Sequence, residues 1–238
     1  MKKLIYRSLF LSLLCVSHIA SALSIDSLFL VSDQVGKDSF SIINNSNDRV
    51  YLKTEMLQVK VEDNGIKKIK LNRDNLLLWD VALEPSIAIL NPGESRIFSA
   101  KSLCQSNCDR DTDKVYQFRF IPSDDPREIK AKKSVSFQFG VAPFYIMPAS
   151  KQNVEYSYKF DKKTKKLHVS NTGNTFVKFE VNNCSNYRND AKKSCKTVHY
   201  VLSGISQDFL LPDHLISSST KVKFANYDQS IEKQVNLF

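Results

Sequence analysis

The sequence predicts an all-β protein built as two β-sandwiches in tandem. Three observations carry this reading. Runs of β-branched and aromatic residues, several alternating with polar ones, recur along the chain; clusters of Asn, Asp, Gly and Pro separate them; and no segment shows a long helical period. Strands spaced this closely, with no helices between them, pack as sandwiches rather than as a parallel sheet.

Residues 1–22 stand apart from the fold. Lys2, Lys3 and Arg7 precede an apolar run over 9–19, and Ala20-Ser21-Ala22 closes it. This is the pattern of a cleaved secretory signal. Cys15 follows Leu13-Leu14, whereas lipid attachment wants a small residue there. No later segment approaches 18 apolar residues, so the remaining 216 residues are expected to be soluble, with no membrane insertion after cleavage.

In the first half, strand signals fall at 39–43, 50–59, 115–121 and 135–141, divided by turn clusters at 44–48, 62–65 and Asn91-Pro92-Gly93. The second half repeats the style at 154–160, 166–170, 176–181, 197–202, 221–224 and from 231 onward. Between them lies a Pro143 to Pro148 stretch followed by the polar segment 149–153. The expected division is therefore 23–148 and 149–238, each with about seven strands, the immunoglobulin-like number.

Without the signal the chain holds 31 basic and 25 acidic residues, a net charge of +6. The basic residues are scattered. The densest run, Lys162-Lys163-Thr164-Lys165-Lys166, reads as a hairpin turn, and nucleic-acid binding has neither stripe nor module to rest on. Four cysteines remain: Cys104, Cys108, Cys184 and Cys195. In an exported chain they suggest disulfides, with three possible connectivities. A boundary near 150 and pairing within domains select Cys104–Cys108 and Cys184–Cys195. Their wide, unequal spacing, with no histidine near the first pair, argues against a metal site.

Catalytic patterns are missing. His168 and His199 lie inside strand-like runs and His214 follows Pro212-Asp213 in a loop; there is no Gly-x-Ser-x-Gly elbow. The six glycines are too scattered for a phosphate loop, and Cys104-Gln-Ser-Asn-Cys108 has one residue too many for a thioredoxin-type motif. The expectation is a non-enzymatic protein with no cofactor. Trp79, flanked by Leu76-Leu77-Leu78, reads as a core or edge residue rather than a sugar-stacking platform.

Several stretches together resemble the periplasmic chaperones of the chaperone–usher pilus pathway. They are Pro85 to Phe98 with its Pro92-Gly93 turn, Tyr116-Gln-Phe-Arg-Phe-Ile-Pro122, and the alternating strand 135–141 running into Pro143 to Pro148. In the second half, Asn171-Thr-Gly-Asn174 followed by Cys184 and Cys195 is similar to the alternate branch of that family, which serves colonisation-factor and common-pilus systems. The resemblance implies two immunoglobulin-like domains set at an angle, and a location in the periplasm. Its partners would be pilus subunits and an outer-membrane usher. It implies capture by donation of an edge strand to a subunit that lacks one of its own, which hides unpaired backbone and an apolar groove.

Val135, Phe137, Phe139 and Val141 share one face of that strand, with Ser134, Ser136, Gln138 and Gly140 on the other. They are the expected subunit-binding residues, although the same alternation suits side chains facing their own core. Conventional family members grip the subunit's terminal carboxylate with an arginine on the first strand and a lysine on the last strand of domain one. Here segment 23–30 has no arginine, and Pro143 falls near the lysine's place. Arg119, which interrupts an apolar strand, is the leading substitute anchor, with Arg96 and Lys133 in reserve. The competing function is that of an exported β-sandwich adhesin or pilus subunit. A subunit would carry an alternating extension ahead of its first strand, whereas the mature chain begins almost directly with an ordinary strand.

Overall fold

The structure is a computed structural model and describes residues 23–32, 38–62, 65–103, 110–123, 139–186 and 194–238. Residues 1–22, the expected signal, lie outside them, as do Cys104 and Cys108.

The first half contributes ten strands among the described residues: β1 (Leu23–Ile25), β2 (Phe29–Val31), β3 (Ser39–Asn44), β4 (Val50–Glu62), β5 (Gly65–Lys70), β6 (Val81–Glu84), β7 (Ile87–Leu90), β8 (Ser95–Ser102), β9 (Lys114–Ser123) and β10 (Phe144–Met147). One sheet runs β1-β3-β8-β6. The other runs β2-β10-β9-β4-β5, with β7 also paired to β4. Their inner faces bury Phe40, Ile42, Leu52, Phe98, Tyr116, Phe118, Phe120 and Tyr145, most of them at every second position of a strand.

Ten strands replace the expected seven or so because the chain changes sheets in mid-course. The opening stretch pairs with β3 as β1, then crosses near Asp26 and pairs in parallel with β10 as β2. Residues 81–90 likewise divide around the cis Glu84–Pro85 bond, β6 pairing with β8 and β7 with β4.

The second half forms β11 (Tyr156–Asp161), β12 (Lys166–Asn171), β13 (Val177–Asn182), β14 (Lys196–Val201), β15 (Ser206–Leu210), β16 (Lys221–Ala225) and β17 (Glu232–Asn236). Sheets β11-β12-β15 and β14-β13-β16-β17 enclose Leu167, Val169, Val177, Phe179, Val201 and Phe224. The lysine run at 162–166 is the turn from β11 into β12, as its composition predicts. Cys184 is disulfide-bonded to Cys195 across the base of β13 and β14, with Cα atoms 4.9 Å apart.

Trp79 is half-buried against the first core and its indole N–H donates to Asn75 Oδ1. The leucines beside it do not follow it inward. Leu76, Leu77 and Leu78 are all exposed.

Candidate functional site

The site is built on β9. Its even positions Tyr116, Phe118 and Phe120 fill the first core, while Val115, Gln117, Arg119 and Ile121 face the other way. β10 pairs antiparallel with the first part of β9, Phe144 opposite Gln117 and Ile146 opposite Val115. The bridge of Val141 to Phe120 keeps the same register. Residues 139–143 therefore continue β10 backwards along the rest of β9. Val141 and Phe120 exchange both backbone hydrogen bonds (2.8 and 3.2 Å), and the Phe118 N–H donates to the Pro143 carbonyl.

On its other side β10 is covered by β2, whose cover ends where the Phe144 N–H donates to the Leu28 carbonyl. The preceding chain has already crossed to the opposite sheet, the Asp26 N–H donating to Ser41 O. Beyond that crossing, no strand among the described residues pairs with the outer edge of 139–142. Two-residue alternation turns the amide and carbonyl of Gly140 toward that edge. The Ala142 carbonyl accepts from Gln117 Nε2. Position 140 requires glycine for a steric reason: a β-carbon there would sit 2.5 Å from the Phe120 carbonyl oxygen.

Of the expected strand residues, Phe139 is 70% exposed, whereas Val141 packs partly against its own core. Val135, Phe137 and Lys133 lie outside the described residues. Arg119 is on the face away from the core, beside Ala142 by register and opposite Glu55 of β4. Its guanidinium is 4.0 Å from Glu55 Oε2, while Lys70 Nζ holds the other oxygen of that carboxylate at 2.6 Å. The Lys70 hydrogen bond is the main cause holding the Glu55 carboxyl below its ordinary value, and Lys53 and Arg119 add to it. Arg96 belongs to β8 in the opposite sheet, 3.3 Å from Glu94, so the two arginines are not brought together.

A second cluster joins the halves, and sequence reasoning missed it. Asp113, just before β9, accepts from the Ala149 N–H (2.8 Å), the Phe176 N–H (2.7 Å) and the Thr175 hydroxyl (3.2 Å). Burial pushes its carboxyl above the ordinary value, and the two backbone donors oppose that shift. The Asn171-Thr-Gly-Asn174 motif meets it. Asn174 donates from Nδ2 to the Asp111 and Lys151 carbonyls, and a β-carbon on Gly173 would run into the Asn153 carbonyl. Beside these contacts Phe29 stacks on Tyr200 (3.8 Å between centroids) and meets Phe176 edge-on. Phe29, Phe144, Tyr200 and Leu202, with the exposed Leu28 and Ile66, line an apolar cleft of about 380 Å³ between the sandwiches.

The histidines are dispersed. His168 contacts Asp208 on an exposed sheet face, His199 lies between Phe179 and Phe209 where burial lowers its pKa, and His214 meets the Ser194 carbonyl. Among the described residues no group of three metal-ligating side chains converges, and no helix is long and apolar enough to cross a membrane.

The two-sandwich fold is shared with solved fimbrial chaperones. A chain from a chaperone–tip adhesin complex of CFA/I fimbriae biogenesis matches with a TM-score of 0.52 and 14% identity, over 91% of this chain and 98% of that one. The class 5 fimbriae chaperone CfaA matches with a TM-score of 0.50 and 15% identity, over 91% and 99%. A chain from the Salmonella enterica complex of SafA pilin with the SafB chaperone gives 0.52 and 10%, over 91% and 97%. At these identities the likeness is one of fold, and it agrees with the two tandem immunoglobulin-like sandwiches expected from sequence. No curated protein matches the sequence. The model of the CS5 fimbrial protein N-terminal domain matches residues 25–148, and the chain belongs to that family.

Proposed function

We propose that the protein is a periplasmic chaperone that binds fimbrial subunits by lending them an edge strand and passes them to an outer-membrane usher, without catalysis or cofactor. The observation that carries this is the outer edge of 139–142, with which no strand among the described residues pairs beyond the cover of β2 and on which Phe139 is exposed, so that an extended segment of a partner could pair there. Family membership, the fold and the expected secretory signal agree with it. We read 23–148 as the subunit-binding domain and 149–238 as a second sandwich fixed to it through Asp113. Co-expression with a fimbrial subunit in a bacterial periplasm tests the reading: a one-to-one complex should elute from gel filtration. A subunit that is degraded or aggregates beside free, folded protein would refute it.

Within this reading Arg119 anchors the subunit's terminal carboxylate. It lies on the outer sheet face beside the edge segment, and its 4.0 Å approach to Glu55 is loose because Lys70 holds that carboxylate more closely. A guanidinium offers the bidentate geometry a carboxylate takes up. Arg119→Ala should weaken subunit binding by about 2–5 kcal/mol, the range for truncating one member of a desolvated charge pair. The thermal midpoint should barely move, because the side chain is 41% exposed and makes no ion pair closer than 4.0 Å among the described residues. Titration with a C-terminally amidated subunit is the check. Equal affinities of the wild-type protein for intact and amidated subunits would eliminate the anchor.

A further inference from the structure

Residues 71–80 connect β5 to β6 through a 3-10 turn at Arg73–Leu78. On it Leu76, Leu77 and Leu78 are 57%, 102% and 44% exposed. Loose chain does not account for this exposure. The Asn72 side chain accepts from the Asp74 N–H, the Asn75 side chain accepts from the Asn72 N–H, and Asn75 Nδ2 donates to the Lys70 carbonyl. At the far end Trp79 is packed on the core and its N–H donates to the Leu76 carbonyl. Leu71, buried, donates to the Met56 carbonyl. The fold thus holds three leucines out in water on a tethered knob, at the cost of leaving their apolar surface hydrated.

We propose that this knob is a membrane-contact surface that inserts into the interface of a bilayer carrying anionic phospholipid headgroups. Two features favour a bilayer over a protein groove. Consecutive residues of a 3-10 turn point about 120° apart. A protein groove reads a stripe of residues three and four apart on one side of a helix, whereas a fluid interface receives side chains at every azimuth of a tip. The flanking charge is also basic. Lys67, Lys68 and Lys70 on β5 and Arg73 in the turn stand against Asp74 between residues 65 and 78, with Lys67 and Lys70 paired to Glu62 and Glu55. Apolar tips with basic flanks associate with anionic interfaces.

The test is co-sedimentation of the exported protein, purified from the periplasm with its signal removed, with vesicles of equimolar phosphatidylcholine and phosphatidylglycerol, and with phosphatidylcholine alone. Binding to the anionic vesicles should be at least about tenfold tighter and should weaken as salt rises. Leu76→Ser with Leu77→Ser should reduce it about tenfold or more and leave the thermal midpoint unchanged. Lys68→Ala with Arg73→Ala should flatten the salt dependence. The proposal is overturned if the wild type fails to bind, if it binds both vesicles equally, or if the leucine substitutions leave vesicle binding intact. Loss of an usher contact in the leucine variant, with vesicle binding unchanged, would assign the knob to a protein partner and equally overturn it.

Discussion

Replacing Phe137 and Phe139 by serine is expected to abolish capture of fimbrial subunits while the protein stays folded. Phe139 is 70% exposed in the free protein, so its ring adds little to its own domain and its apolar surface is available to a partner. Burying a large apolar side chain stabilises by about 1.5–3 kcal/mol. Losing two of them removes about 3–6 kcal/mol, roughly a hundredfold to ten-thousandfold in affinity. Backbone pairing along the edge remains in the variant, but the surplus that exceeds the cost of association does not. Val141→Ser makes the contrasting control. Val141 packs partly on the first core opposite Phe120, so its loss should lower stability by about 1 kcal/mol as well as weaken binding. The measurement is protease protection of a co-expressed subunit. A folded Phe137→Ser, Phe139→Ser protein that still protects subunits would remove this strand from the binding surface.

The second large effect is expected at Asp113. Asp113→Ala leaves the Ala149 and Phe176 amides and the Thr175 hydroxyl without their acceptor at a buried junction. Each orphaned donor costs about 1–3 kcal/mol, so with three of them a loss of at least about 3 kcal/mol is expected in urea unfolding at neutral pH. Its pH dependence has a definite sign. Burial raises the folded-state pKa of Asp113 above its unfolded value, so between the two values the folded protein binds the extra proton. The group's contribution is then greatest below the unfolded pKa and declines as pH rises through the raised one. The stability gap between wild type and Asp113→Ala should be wider in acid than at neutral pH. A gap that narrows on acidification would contradict that assignment of the shift.

Much of the fold is legible in local patterns. The alternation at 39–43, 50–59, 115–121, 166–170 and 176–181 marks β3, β4, β9, β12 and β13 because a strand's faces repeat every two residues. Cysteine spacing within the second half anticipates Cys184–Cys195. Short strands paired to distant partners leave no such trace. β2 is three residues long and is defined by parallel pairing with β10, more than a hundred positions later in the chain. Asp113 sits in the polar stretch Asp111-Thr-Asp-Lys114, where composition gives no hint that one carboxylate is buried. The run Leu76-Leu77-Leu78 suggests burial, yet Asn72, Asn75 and Trp79 hold it in water.

The sequence by itself determined the class of fold, the alternation that places Phe139 and Val141 on one face, and the charge of Arg119. Tertiary structure decided what those residues meet. The crossing near Asp26 ends the cover that β2 gives β10, and beyond it no strand among the described residues pairs with the outer edge of 139–142. The pairing of β4 with β9 sets Glu55 opposite Arg119, while β5 brings Lys70 to the same carboxylate. Alternation is a property of a strand's own backbone. The cover of a sheet edge, like an ion pair, is a relation between segments far apart in the chain, fixed only when the sheets close.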